Sequence, residues 1–264
     1  MRVFGVAIAA IFLTTVPVTA QDLQFRIQTR VNMADNAANT GAFPELNIFL
    51  KNTRVRIDVE MPTPNEAISS SMIMDDTAQS ALMVMHGDKS YTISPNPFSN
   101  VNAKGDTMEV NPRDPAAEPT VLRTGERARI AGYDAVRVVT TVEMPGGMGV
   151  LTREPALFIT DSWIATDAAL NAAYRPFAQR SASMMSSGVP GADALSVVSE
   201  GFPLRTTNLV LTRPATKPDP LATLKEAKPA GLLMRMETEV TEVKLGLLPD
   251  SLFKVPAGYV HRAR

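Results

Sequence analysis

The chain has no cysteine, two histidines and one tryptophan. The missing cysteines exclude disulfides, thiolate nucleophiles and cysteine metal sites. They also exclude lipid attachment at an N-terminal cysteine. Stability must come from packing alone, which a chain of 264 residues can supply. Two histidines fall short of a three-histidine zinc centre. Neither sign of charge dominates: 26 basic residues face 27 acidic ones, for a net charge of -1. The chain therefore has no basic face for nucleic acid and no polybasic patch for anionic lipid. A phosphate cradle is missing too, because Gly146-Gly147-Met148-Gly149 follows Pro145 between two expected strands and opens no helix. No cofactor is implied.

The N-terminus carries an address. Arg2 supplies one positive charge, Val3 to Leu13 is an unbroken apolar run, and Val18-Thr19-Ala20 offers small residues before Gln21-Asp22. These are the three parts of a secretory signal, with cleavage expected after Ala20. The run is short of the ~20 apolar residues that span a bilayer. The expectation is export to the periplasm or beyond, with no transmembrane anchor after cleavage, and one domain over residues 21–264.

Alternation with period two dominates the rest. Leu23, Phe25, Ile27, Thr29, Val31 and Met33 interleave with Gln24, Arg26, Gln28, Arg30 and Asn32. Successive strand side chains point to opposite faces, so this strand has one dry and one wet face. Val55, Ile57, Val59 and Met61 repeat the pattern, and Leu46 to Leu50 and Val136 to Met144 mark further strands. Leu232 to Val240 alternate in one phase and Val243 and Leu245 in the other, which predicts a bulge near Glu242. Met83 to Ile93 reads as a hairpin turning at His86 to Lys89. One-sided alternation over many strands implies an antiparallel sheet and argues against a doubly wound α/β fold.

One helix is expected from Ala168, capped by Thr166-Asp167. Leu170, Tyr174 and Phe177 form one stripe, Pro176 is expected to kink or restart the helix, and Ser186 to Gly191 ends it. Pro-rich loops fall at Pro95 to Pro119 and Pro214 to Pro220, the second with the composition of a mobile segment.

The chemistry read from the residues is sparse. His86 lies in a turn and His261 near the C-terminus, and both read as solvated surface residues. Asp58 with Glu60, and Glu237 with Glu239, share strand faces with arginine neighbours, so they read as solvated cross-strand charges rather than a glycosidase pair. Asp75-Asp76 reads as a turn. No catalytic residue and no metal site is expected, and the chain reads as a non-enzyme.

Several phrases carry a resemblance: Thr124-Gly125-Glu126, Ile130-Ala131-Gly132-Tyr133-Asp134-Ala135, Ile159 to Trp163, Gly201 to Thr206, and Pro249 to Tyr259 ending in Val-Pro-Ala-Gly-Tyr. Together they resemble the exported bacterial proteins grouped as domain of unknown function 4412, which look related to the LolA-like lipoprotein carriers. The resemblance implies a mainly β fold, an unclosed antiparallel barrel with a helical lid, whose pocket holds acyl chains. An apolar pocket and lid would draw on Phe25, Ile57, Met72, Met74, Met83, Met85, Trp163, Leu170, Tyr174, Phe177, Met234 and Met236. Fourteen methionines suit an adaptable apolar surface. The expected partner is a lipid, an acyl chain or a lipoprotein. The alternative is a structural or signalling envelope module whose core is self-filled and which meets another envelope protein.

Overall fold

A computed structural model describes residues 21–33, 41–61, 68–75, 80–95, 119–144, 155–186 and 201–263. The expected signal segment, Asp76, residues 96–118 of the first Pro-rich loop, the Gly146 to Gly149 turn and the helix stop at 187–191 lie outside these residues.

Thirteen strands form one sheet. They are β1 (Asp22–Met33), β2 (Gly41–Ala42), β3 (Leu46–Lys51), β4 (Arg54–Met61), β5 (Ile68–Asp75), β6 (Ser80–Met85), β7 (Ser90–Pro95), β8 (Thr120–Ile130), β9 (Tyr133–Met144), β10 (Ala156–Ala165), β11 (Pro203–Thr212), β12 (Leu232–Gly246) and β13 (Val260–His261). Their order is β13-β7-β6-β5-β4-β3-β1-β12-β11-β10-β9-β8, with β2 on the flank of β1. Every pairing is antiparallel except the two-residue contact of β13 with β7. Among the described residues β8 pairs only with β9 and β13 only with β7, so the sheet stays unclosed. The architecture is thus mainly β, antiparallel and open, as the alternation implies.

Helix α1 (Ala168–Ser186) follows β10 directly. The Asp167 carboxylate accepts from Leu170 N at 2.8 Å, which satisfies one of the free donors of the first turn. The helix does not restart at Pro176; it runs through as one element. Proline at that position removes the bond to the carbonyl of Ala172, and packing of the stripe on the sheet offsets the loss. The second Pro-rich loop leads into a helix that begins at its last residue. Its Asp219 caps a short helix, α2 (Pro220–Lys225), which buries Thr223 and Leu224.

Register locates the predicted bulge at Thr241. Arg26 faces Glu242 while Ile27 faces Val240, so one extra residue on β12 shifts the apolar phase. A wider irregularity sits on β8, where Arg123 pairs with Val138 and Arg127 with Val136. Three residues there oppose one, and Gly125 turns the chain with φ of 74°.

Three apolar clusters hold the sheet. The largest joins Leu23, Phe25, Ile48, Leu50, Val55 and Met74 to Leu170, Phe202 and Leu204, with Tyr174 and Phe177 of α1 packed against it. The face α1 covers is called the inner face below. A second cluster, with Leu157, Ile159, Leu209 and Leu211, lies under α2. A third, with Phe49, Ile73 and Val84, is covered by the segment Leu248 to Tyr259. Phe49 and Ile73 alternate with inner-facing neighbours on their strands, so this C-terminal segment lies on the outer face. It is tied down by charge. Lys51 donates to the Leu248 carbonyl, Arg56 donates to that of Leu252 at 2.8 Å, and Arg54 stacks on Phe253. Hydrogen bonds from Lys51, then Arg54, hold the Asp250 carboxyl below the usual carboxylate range.

Two outcomes follow from the main cluster. Phe202 is almost wholly buried and meets Phe25 and Tyr174 edge-on, each at 5.0 Å. Phe202→Ala should lower unfolding free energy in urea by about 3–5 kcal/mol, and a loss under about 1 kcal/mol would remove it from the core. Burial also pushes the Tyr174 phenol up to about 12. The folded value lies above the unfolded value of ~10, so this contribution is whole below pH ~10 and is lost as pH rises towards 12. Tyr174→Phe should flatten that alkaline fall in urea titrations, and an unchanged slope would show that Tyr174 is not its source.

Candidate functional site

Cross-strand register assembles the inner face into rows. One row crosses six strands: Val243, Phe25, Ile48, Ile57, Met72 and Met83. The next runs through Val240, Ile27, Leu46, Val59, Ser70 and Met85. Neighbours in such a row have Cβ atoms about 5 Å apart and pack as pairs. Helix α1 covers the end of this face near Leu23 and Phe25. At the opposite strand ends Met33, Met61, Ile68 and Met85 are between 37% and 44% exposed. Met61 pairs with Ile68 and Met33 with Met234. The inner face therefore passes from a covered aromatic cluster to an uncovered methionine-rich rim. Apolar area left in water here is area that a ligand can cover, at about 25 cal/mol per Å².

The structure brings eight of the twelve candidate residues into one cluster. Phe25, Met74 and Leu170 are buried members, and Ile57, Met72, Trp163, Tyr174 and Phe177 pack against them. Met83 and Met85 share the strand face of Ala81 at the uncovered rim, through alternation on β6. Met234 and Met236 stand on the same sheet face of β12, beside Val210 and Asn208 of β11. Trp163 sits at the cluster edge with the Arg137 guanidinium 5.8 Å from its ring centre.

Beyond β12 the inner face changes character. One row reads Thr29, Thr238, Thr206, Ser162 and Val138, and the next Val31, Met236, Asn208, Thr160 and Thr140. Thr29 and Thr238 share a hydroxyl contact of 3.2 Å, and Thr160 donates to Asn208 Oδ1 at 2.9 Å. Thr140 Oγ1 and Ser162 Oγ are fully buried and have no hydrogen-bond partner. Each unmet hydroxyl costs on the order of 1–3 kcal/mol, so two together are a feature to be explained. Sequence reading missed this strip because threonine and serine on a strand look like ordinary β formers.

The outer face holds the ionic groups. Arg137 Nε and Nη2 donate to the two Asp161 oxygens at 2.8 and 2.9 Å, and Nη1 donates to both Glu126 oxygens at 3.1 and 3.0 Å. Donating to Asp161, and then to Glu126, raises the guanidinium pKa above its ordinary value. The β8 irregularity at Thr124-Gly125-Glu126 is what aims Glu126 at Arg137. Of the carboxylate pairs, Asp58 is held by Arg56 at 2.6 Å, Glu237 by Arg235 at 2.7 Å and Glu239 by Arg205 at 2.8 Å. A groove of about 200 Å³ runs between Arg30, Arg205, Thr207, Glu237 and Glu239. It is charged and lies opposite the apolar rows. Among the described residues no three metal-ligating side chains come together.

His86 departs from the solvated residue expected from its turn. Its Nε2 lies 2.6 Å from Ser71 Oγ and its Nδ1 2.9 Å from the Tyr259 hydroxyl. Arg56 Nη2 donates to the same Ser71 oxygen at 3.0 Å. The serine–histidine contact has the look of a nucleophile and its base. Ser71 is, however, 1% exposed, so no substrate reaches it. The chain of contacts fastens the C-terminal segment to β5 and β6. Its missed signal is the aromatic end of Val-Pro-Ala-Gly-Tyr, which supplies Tyr259.

No helix among the described residues is long and apolar enough to cross a membrane. A search of curated proteins found no match to the sequence. Among solved structures, the chain aligns with PNGF-II at a TM-score of 0.34 and 12% identity, over 92% of this chain and 31% of that one. It thus spans about a third of the PNGF-II chain. It aligns with the Mycobacterium tuberculosis lipoprotein LppX at a TM-score of 0.33 and 7% identity, over 82% of this chain and 84% of that one. Both scores are too low to assign a property. The family model described as domain of unknown function DUF4412 matches residues 30–215, most of the two meanders that carry the inner face. The chain is a member of the DUF4412 family.

Proposed function

We propose that this chain is an exported, non-enzymatic envelope protein whose inner sheet face holds an apolar ligand: an acyl chain, a lipid or the lipid part of a lipoprotein. The observation that carries the reading is the uncovered apolar rim, where Met33, Met61, Ile68 and Met85 remain exposed on the face whose other end α1 already covers. Flexible methionines adapt to chains of differing length and saturation. The resemblance to LolA-like carriers points the same way. The signal segment supports export, and one sheet over the described residues supports a single domain after cleavage. A second reading, a self-filled module acting through protein contacts, draws on the near-complete burial of Met74 and Leu204 of the sheet and Leu170 of the helix against one another.

Native mass spectrometry of the mature protein purified from a bacterial periplasm separates the two. A co-purifying lipid released only on denaturation is expected. A bare mass with no uptake of a fluorescent fatty-acid analogue would favour the self-filled module. Met61→Glu with Met85→Glu should weaken uptake of that analogue about tenfold, equal to ~1.4 kcal/mol. Both residues are exposed, so the circular-dichroism spectrum should not change. Unaltered uptake would place the ligand elsewhere.

A further inference from the structure

The chain has no cysteine, so methionine carries all of its sulfur. On the inner face those sulfurs are graded by exposure. Met74 is 1% exposed. Met72 on the same strand and Met83, its partner in register, are half-buried. Met85 is 37% exposed, Met61 41% and Met33 42%. A strand rises about 3.3 Å per residue, so the passage from Met74 to Ser70, which stands opposite Met85, covers only ~13 Å. An aliphatic side chain would give the rim the same apolar cover, as Ile68 does opposite Met61. What a thioether adds is chemistry. Peroxides oxidise it where they reach it, and the sulfoxide that forms is polar and can be reduced again. A ligand that covers a sulfoxide must strip water from its oxygen, which is unfavourable without a new partner.

We propose that Met33, Met61 and Met85 form a modification site whose substrate is a peroxide, and that their oxidation releases the apolar ligand. This adds regulation to the apolar-ligand reading and rests on it. The sulfur lone pair takes one oxygen from hydrogen peroxide. The O–O bond breaks, an S–O bond forms, and the remaining oxygen leaves as water with both protons. Sulfur loses two electrons and the peroxide gains them. A methionine sulfoxide reductase reverses the step, as two thiols become one disulfide and the oxygen leaves as water. Met74 is out of reach, so the core beneath the helix survives each cycle. Export, proposed above, would place the rim outside the reducing cytoplasm.

The test is the affinity of the mature protein for N-phenyl-1-naphthylamine, an uncharged apolar dye, before and after dilute hydrogen peroxide. Peptide mass spectrometry should show Met33, Met61 and Met85 gaining oxygen about tenfold faster than Met74. Dye affinity should then fall about tenfold, with the circular-dichroism spectrum unchanged. Sulfoxide reductases for both epimers, supplied with dithiothreitol, should restore it. In the triple variant Met33→Leu, Met61→Leu and Met85→Leu, whatever its starting affinity, peroxide should change that affinity less than about twofold. Oxidation of Met74 as fast as the rim, or loss of the β spectrum, would overturn the proposal, because the fold itself would then be the target. Three further outcomes would overturn it and leave apolar binding standing: an affinity that survives full oxidation of the rim, a fall that persists after the sulfoxides are reduced, or an equal fall in the leucine variant. No dye binding before peroxide is added would overturn the apolar-ligand reading and the switch with it.

Discussion

The seam between β1 and β12 is the pairing on which the rest depends. Strands β3 to β7 form one run of antiparallel neighbours and β8 to β12 another. Among the described residues β1 joins the two runs, bonding β3 on one edge and β12 on the other. Phe25 and Ile27 on β1 therefore unite the aromatic cluster, the methionine rows and the hydroxyl strip. The partners lie more than two hundred residues apart, as in Asp22 with Gly246. Closing so long a loop costs chain entropy before any contact repays it. Each run can form locally, but neither has a complete inner face until the seam zips.

The two faces of the sheet divide the physics between them. The outer face carries the ion pairs and two covers, α2 and the C-terminal segment, each over its own small core. The inner face carries no charge in its rows, and among the described residues its one helical cover is α1, which stops short of the rim. Alternation enforces this division, because a slip of one residue would send Arg26 or Glu239 inward. The bulge at Thr241 keeps the phase correct where β12 must follow β1 past Arg26.

Much of this was legible because alternation is a direct print of a two-faced sheet. Leu23 to Met33, Arg54 to Met61 and the phase change near Glu242 all announced their places. Strand β5 was harder, since Ser69-Ser70-Ser71 hides its apolar half behind small polar residues. Helix α2 was unreadable, being six residues whose stability comes from Leu224 packing on the sheet rather than from propensity. For the candidate site, the aromatic and methionine rows were visible, but the hydroxyl strip was not. Its members come from five strands, β1 and β9 to β12, and only register shows that Ser162 shares a row with Thr206, Thr238 and Thr29. The clasp of His86 by Ser71 and Tyr259 was hidden for the same reason.

An unclosed sheet has two ends that other chains can extend. The β13 end is two residues long, too short to seed a ladder. The β8 end is eleven residues long, yet its pairing is interrupted at Gly125 and its sequence sets Arg123, Arg127 and Arg129 along the margin. Two copies approaching margin to margin would bring like charges together across a ladder that is already out of step. Concentrated solutions of this protein thus gain a guard against strand-by-strand fibre growth, in the same stretch whose Thr-Gly-Glu irregularity aims Glu126 at Arg137.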